Sequence, residues 1–284
     1  MRTWLALLCC TATLASAQES SDWLERMGQA GRNYVYSGTV VFMAGAEVSA
    51  LRVSQVIEDG RVRQNAVNLM GPPQTVVAGG GVAQRTGVTN EPPEYLETPL
   101  AVDVPVAANT RVIRHNYQVI VGAEDRVAGR PVRQLSFRPL DQARFARHAW
   151  VDIETGLPLR SVVIDGDRVL EQMLFTDVQV SSTSLQQTDA PAPAAAQDWP
   201  GVAPDGFELR AVVGSNDRRQ WVFTDGLAVV SVFAERAEPG TFPSLHPTGA
   251  MRAVTQDAPG ARWTAIGDVP EETLRRFLDG VGAS

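Results

Sequence analysis

Lysine is missing from this chain altogether: all 25 basic residues are arginine. That excludes Schiff-base chemistry and the lysine of a phosphate-binding loop. Cysteine is nearly missing too, since Cys9 and Cys10 both lie in the stretch 1–17. Without that stretch the chain can form no disulfide, even in a compartment that permits one. Only His115, His148 and His246 represent histidine, far apart and with no histidine or glutamate partner at helical ligand spacing. No metal and no cofactor is expected on that ground. Long apolar runs are also lacking beyond the N-terminus, so no membrane-spanning helix is expected.

Arg2, the apolar run Trp4 to Leu14 and the small-x-small step Ala15-Ser16-Ala17 have the form of an export signal. The mature chain is then expected to start at Gln18 and to be periplasmic and soluble. Leu8 and Cys9 stand where a lipidation box needs small residues before the acylated cysteine, so no lipid anchor is expected. Removing Arg2 leaves 24 arginines against 32 acidic residues, one charge more negative than the −7 of the full chain. That balance does not suit nucleic acid.

The remainder reads as strands. The central stretch Arg126 to Val180 holds four strand-like runs separated by Thr155-Gly156 and Asp165-Gly166-Asp167, steps that supply the positive φ of tight antiparallel turns. Before it, Asp22 to Ala30 reads as a capped helix ended by Gly31. Strands are expected over Tyr34–Met43, Val48–Ile57 and Arg61–Met70, with a further hairpin over Gln74–Arg85. Gly71-Pro72-Pro73 should stop the ladder. Glu91 to Asn109 carries four prolines and reads as a long loop or a short helical excursion, a candidate lid. Ser181 to Gln197, rich in Ser, Gln, Pro and Ala, reads as a linker. After it come five short strand candidates and a helix opened by Pro270, with Glu271 and Glu272 in its first turn and Leu274, Phe277, Leu278 and Val281 as its apolar stripe. The expected division is a signal over 1–17, a large domain over 18–180, a linker over 181–197 and a small domain over 198–284. The fold class is α+β: a large curved antiparallel sheet wrapped over helices, plus a small antiparallel sheet with one C-terminal helix.

Val127-Ala128-Gly129-Arg130, Trp150-Val151-Asp152 and Thr155-Gly156-Leu157-Pro158-Leu159 resemble the MucB/RseB family. So do Pro204-Asp205-Gly206-Phe207, the run Asp225-Gly226-Leu227-Ala228-Val229-Val230-Ser231-Val232-Phe233, and Val269-Pro270. The resemblance spans nearly the whole chain after the signal, in order, and departs from the family mainly in its shortness around Gly79 to Glu94. It implies a periplasmic regulator of a σE-type envelope stress response. Such a protein binds the periplasmic part of a membrane anti-sigma factor of the RseA/MucA kind, shields it from the first regulatory protease, and is released by lipid or lipopolysaccharide. It also implies that the large domain is a half-barrel similar to the lipoprotein carriers LolA and LolB. A periplasmic lipid or lipoprotein carrier is the alternative, which the second domain disfavours. A homo-oligomer is left open.

Three groups of residues have a functional reading beside a plain one. Tyr34, Tyr36, Val40, Phe42, Leu51, Val53, Met173 and Phe175 could line an acyl-chain cavity, or they are core filled by the domain's own helix. Arg130, Arg133, Arg144 and Arg147 could bind phosphate or an acidic partner, or they form a solvated face with local pairs to Glu124, Asp125 and Asp141. Trp221, Phe223, Leu227, Val229 and Phe233 could be exposed partner anchors, because so small a domain has a limited core, or they pack beneath the Phe277 helix. Asp225 and Gly226 read simply as a turn. Asp141, Asp152 and Glu154 are the nearest thing to a catalytic acidic group, but Asp152 at a strand end reads as a structural hydrogen-bond acceptor. Ser231 has no nucleophile motif around it. No catalytic residue is expected.

Overall fold

The structure, a computed structural model, describes residues 5–58, 61–70, 74–79, 82–87, 110–182, 199–214, 218–236, 248–279 and 281. Gly71-Pro72-Pro73, the loop Glu91 to Asn109 and the turn Ser215-Asn216-Asp217 lie outside them, as does all of the expected linker but its first two residues.

The first helix, α1 (Leu5–Asn33), is longer than the expected Asp22–Ala30. No proline or glycine interrupts the sequence between Leu5 and Met27, so the signal-like stretch continues into the helix. Gly31 does not end it. The Gly31 carbonyl is instead met by the buried Gln55 side chain, whose Nε2 donates to Gly31 O at 3.0 Å and to Tyr34 O at 2.9 Å. A tertiary donor thus satisfies the end of the helix in place of a local cap. Among the described residues no helix is long and apolar enough to cross a membrane.

The first half of the large sheet is β1 (Tyr34–Ala44), β2 (Glu47–Glu58), β3 (Arg61–Asn68), β4 (Gln74–Gly79) and β5 (Val82–Gly87). A short helix, α2 (Thr110–Asn116), which the sequence reading missed, leads into the second half. This half is β6 (Tyr117–Val127), β7 (Arg130–Pro139), β8 (Ala146–Asp152), β9 (Pro158–Asp165) and β10 (Arg168–Ser182). Each half is a meander, and β1 joins them by pairing with β10, so ten strands form one open antiparallel sheet ordered β5-β4-β3-β2-β1-β10-β9-β8-β7-β6. β10 runs beyond its expected end: Ser181 and Ser182, expected in the linker, pair with Val35 and Tyr34.

Helix α1 lies on this sheet. Trp23, Leu24 and Met27 pack with Ile113 of α2 and with Leu135, Phe137, Ala149 and Val151. Toward the helix's C-terminal end Ala30 joins a second cluster built on β1, β2 and β10. Each large side chain buried in these clusters contributes about 1.5–3 kcal/mol.

The second sheet comprises β11 (Glu208–Gly214), β12 (Arg218–Thr224), β13 (Val229–Arg236), β14 (Arg252–Ala258) and β15 (Ala261–Gly267), ordered β11-β12-β13-β15-β14. Helix α3 (Glu271–Leu278) covers one face, burying Leu274, Phe277 and Leu278, while Glu271 and Glu272 favour its N-terminal dipole end. All five expected strands and the helix are present, within a few residues at each end. The fold is therefore α+β, with a large open antiparallel sheet over helices and a small sheet with one helix.

Candidate functional site

The two sheets meet at a polar junction built around two Asp residues of the small domain. The Asp225-Gly226 turn is one half of it. Asp225 Oδ1 accepts from the Leu227 and Ala228 amides at 2.9 and 2.7 Å, which folds the turn around the carboxylate. Its Oδ2 then faces the large domain, where Tyr117 Oη donates to it at 2.7 Å and Arg144 Nε stands 2.9 Å away. The side chains of Arg144 and Asp225 are 1% and 0% exposed. Arg144 is also held by Asp141 and by the Asp205 carbonyl at 2.7 Å, with its guanidinium over the Phe207 ring. Burial and the neighbouring Asp225 push the Tyr117 hydroxyl well above its usual pKa, so it stays a donor.

Asp268, just before α3, is the other half. Its Oδ1 accepts from the Val229 amide at 2.8 Å and its Oδ2 pairs with Arg147 of β8. Burial works against the Arg147 charge, but Asp268 and its other acidic neighbours outweigh it and raise its pKa. Further ties are Asn116 Nδ2 to the carbonyls of Gly206 and Asp225, and Thr273 Oγ1 to Ala143 O at 2.9 Å. Gly206 and Gly226 both have positive φ, and both press on the large domain: a Cβ on Gly226 would lie 2.6 Å from Ile113 Cγ1, and one on Gly206 would collide with Asn116 and Arg144. The Pro-Asp-Gly-Phe and Asp-Gly-Leu-Ala motifs are thus the surfaces with which the small domain grips the large one. A half-open cleft of about 510 Å³ lies beside the junction, between Asp141, Arg144 and Phe145 on one side and Arg252, Pro270 and Glu271 on the other.

The residues singled out from the sequence fall in three places. Trp221, Phe223 and Phe233 are buried, which corrects their reading as exposed anchors. Trp221 and Phe223 surround Trp199, at 5.3 and 5.1 Å between ring centres, inside an aromatic core that also takes in Trp263 and Phe277; Phe233 packs with Met251 and Ile266. Strand alternation sends Trp221 and Phe223 to the α3 side of the small sheet and Phe233 to its other face. Leu227 does anchor, but into the large domain's own cluster beside Ile113 and Tyr117. Val229 is half-buried and tied to Asp268.

Tyr36, Val40, Val53, Met173 and Phe175 are brought together, with Tyr34, Phe42 and Leu51 half-buried at the rim. They pack on one another, on Ala30 of α1 and on Trp150 and Leu159, which places them in the core among the described residues. Tyr36 and Phe175 meet edge to face at 5.9 Å, and the Tyr36 hydroxyl lies beside a buried Gln55–Gln64 pair.

The four arginines do not form one anion site. Arg130 binds Asp152 in a fork at 2.7 and 3.0 Å and reaches Glu154 at 2.8 Å, and Arg133 pairs with Glu124 at 2.6 Å. Arg144 and Arg147 belong to the junction. Each has a carboxylate within reach, so none is left to recruit an external anion. Asp152 is the structural acceptor expected of it: fully buried, it takes bonds from Arg130, the Thr155 amide and the Thr155 hydroxyl. Burial alone would raise its pKa; these bonds outweigh burial and lower it.

No sequence motif singles out Asn116, Tyr117, Asp268 or Thr273 for this role. Asp225 was visible only as a turn former. A Ser136–His148 contact at 2.8 Å is the nearest approach to a nucleophile and base. Burial and the charges of Arg138 and Arg160 lower the His148 pKa, and among the described residues no carboxylate orients the ring. Among the described residues no group of three or more His, Cys, Asp or Glu is placed to hold a metal ion.

A curved sheet and a small second sheet, locked by ion pairs beside an open polar cleft, define a two-domain binding protein. The chain belongs to the MucB/RseB family: the family's N-terminal domain matches residues 19–199 and its C-terminal domain residues 194–282. It is 30% identical to the sigma factor AlgU regulatory protein MucB of Pseudomonas aeruginosa, over 97% of this chain and 96% of that protein. It is 24% identical to the sigma-E factor regulatory protein RseB of Escherichia coli K12, over 98% and 97%. Among solved structures, crystalline MucB superposes with a TM-score of 0.73 at 27% identity, over 93% of this chain and 97% of that one. MucB in complex with MucA(peri) superposes with a TM-score of 0.65 at 27% identity, over 91% and 96%.

Proposed function

We propose that this protein is a periplasmic negative regulator of a σE-type envelope stress response. It holds the periplasmic part of a membrane anti-sigma factor of the RseA/MucA kind and shields it from regulated proteolysis. It acts by binding and not by turnover. The observation that carries this reading is the superposition, over 91% of this chain, on a relative solved in complex with MucA(peri). The cleft at the junction supports a contact made by both domains, because its walls come from both. Lipid or lipopolysaccharide is the releasing signal, acting on the large domain's aromatic face, where Tyr34, Phe42 and Leu51 form a half-exposed rim. Such a ligand weakens the partner only by its differential affinity for the released form.

We also propose that the signal is cleaved after Ala17, and that the domain boundary falls between the end of β10 at Ser182 and Trp199. That interval contains the overlap of the two family matches.

The test is a binding and protection assay with the mature chain and the purified periplasmic segment of an anti-sigma factor of this kind. The chain should retain the segment and slow its cleavage by the site-1 protease. Absence of binding by the full mature chain ends the proposal.

A further inference from the structure

Strand register divides the large sheet into two faces. Ala149, Ser161, Met173 and Phe42 stand in line across β8, β9, β10 and β1, on the face that α1 packs against. Residues one step along each strand point the other way. There Ala50, Val41 and Leu174 stand side by side across β2, β1 and β10, and Leu69, just past β3, joins them through its amide bond to Ala50 O at 2.8 Å. Met43 and Val48 pair next to this row. An outward sheet face is ordinarily polar, yet these six side chains are all apolar. Val48 is 55% exposed and Leu69 47%, and the other four are half-buried. The row crosses three strand spacings, about 14 Å. It runs into Arg160 of β9, opposite Leu174, whose guanidinium lies 4.1 Å above the Trp150 ring and donates to Gln172 Oε1 at 2.8 Å. Arg52, exposed and opposite Val67, flanks the stripe on β2. Among the described residues neither arginine has a carboxylate partner. Val169, 55% exposed and opposite Ile164, carries apolar surface on toward the junction cleft, which Ile164 lines.

We propose that this stripe is the seat of an amphipathic helix of the protein partner, which lays an aliphatic side on Val48 and Leu69 and turns acidic residues toward Arg52 and Arg160. The inference rests on the partner-binding reading above and adds to it a surface and a chemistry. The helical form follows from the backbone. The amides and carbonyls of inner strands are spent on their neighbours, so an extended segment laid across them would bury its own polar groups unpaired. A helix satisfies its own, and a helix laid on a sheet is a stable layer. About ten helical residues, at a rise of about 1.5 Å each, span the row. The charge of the partner follows from the two arginines, whose guanidinium forks suit carboxylates. A bilayer fits less well. The six positions offer no Trp or Tyr to anchor at a lipid interface, and Asp177, opposite Thr39 at the margin of the stripe, would meet anionic headgroups.

Calorimetric titration of the full mature chain with the purified periplasmic segment of an anti-sigma factor of the RseA/MucA kind tests it. Val48→Glu combined with Leu69→Glu should weaken binding about tenfold or more, whereas Val48→Ile combined with Leu69→Met should stay within about twofold of the parent. Arg52→Glu should weaken binding severalfold and flatten its dependence on salt. The segment should also gain helical circular dichroism on mixing with the parent chain. A double-glutamate variant that binds as tightly as the parent overturns the stripe and leaves the partner-binding reading standing; absence of binding by the parent ends both. The stripe is equally overturned if Val48 and Leu69 serve self-association, read by sedimentation, or binding to phosphatidylglycerol vesicles, while the two glutamates leave the affinity for the segment unmoved. If the double-glutamate chain fails to fold, the Val48 and Leu69 methyl resonances of the parent decide. They should shift when the segment is added, and signals that stay in place overturn the proposal.

Discussion

Asp152 and Asp225 are both fully buried, each folds a tight turn around one carboxylate oxygen, and each is met by an arginine. The two differ in reach. Asp152 finds Arg130, 22 residues away, and Thr155 three residues on, all within one pair of hairpins. Asp225 finds Tyr117, 108 residues away, and Arg144, both in the other domain. Arg130 keeps about a quarter of its side-chain surface exposed and has Glu154 as a second partner, whereas Arg144 is sealed. The same turn chemistry therefore stabilises a single sheet in one place and sets the relation of two domains in the other.

The largest effect that would sharpen this contrast is expected from Asp225→Ala. It strands a buried guanidinium and a buried phenol together, at a cost of about 3–5 kcal/mol. Urea unfolding should show the junction opening as well as the midpoint falling; equal loss in Asp225→Ala and Asp152→Ala would break the comparison. Asp152→Ala should cost about 2–3 kcal/mol, since Arg130 can turn to Glu154 and water, and should leave domain seating unchanged by inter-domain label distances. Gly226→Ala should cost about 1–2 kcal/mol through its positive φ and the collision with Ile113, and should loosen the seat without unfolding the small sheet. Hydrogen exchange at the Leu227 and Ala228 amides reads that difference.

The smallest effect concerns acid. Hydrogen bonding lowers the Asp152 pKa below its reference of 3.8, so its contribution is present above that value and lost as pH falls through the lower folded one. From about pH 4 downward the parent chain should therefore lose more stability than Asp152→Asn. Parallel acid limbs in the two would show that Asp152 carries no such linkage.

Much of the fold was readable before the structure. Period-two alternation and Asp-Gly or Thr-Gly turns mark the strands of both sheets, because each hairpin is a local event with its own φ requirement. Pro270, the two glutamates and the Leu274–Phe277–Leu278 stripe mark α3 in the same way. Less was readable of the site. Trp221 and Phe223 looked too large for their domain because the sequence does not show that Trp199, arriving from the linker side, and α3 close over them. The arginines of the central stretch looked like one cluster because they are close in sequence. Pairing sends Arg130 and Arg133 to hairpin carboxylates and Arg144 and Arg147 to the other domain.

By itself the sequence determined that this chain is a two-part, strand-rich protein without lysine, held by turns whose glycines and aspartates stand next to one another. Only the tertiary structure decided that Asp225 and Asp268 face Tyr117, Arg144 and Arg147. Local patterns record backbone torsion and which face is apolar. A buried charge is set by what lies across from it, and here that partner comes from the other domain.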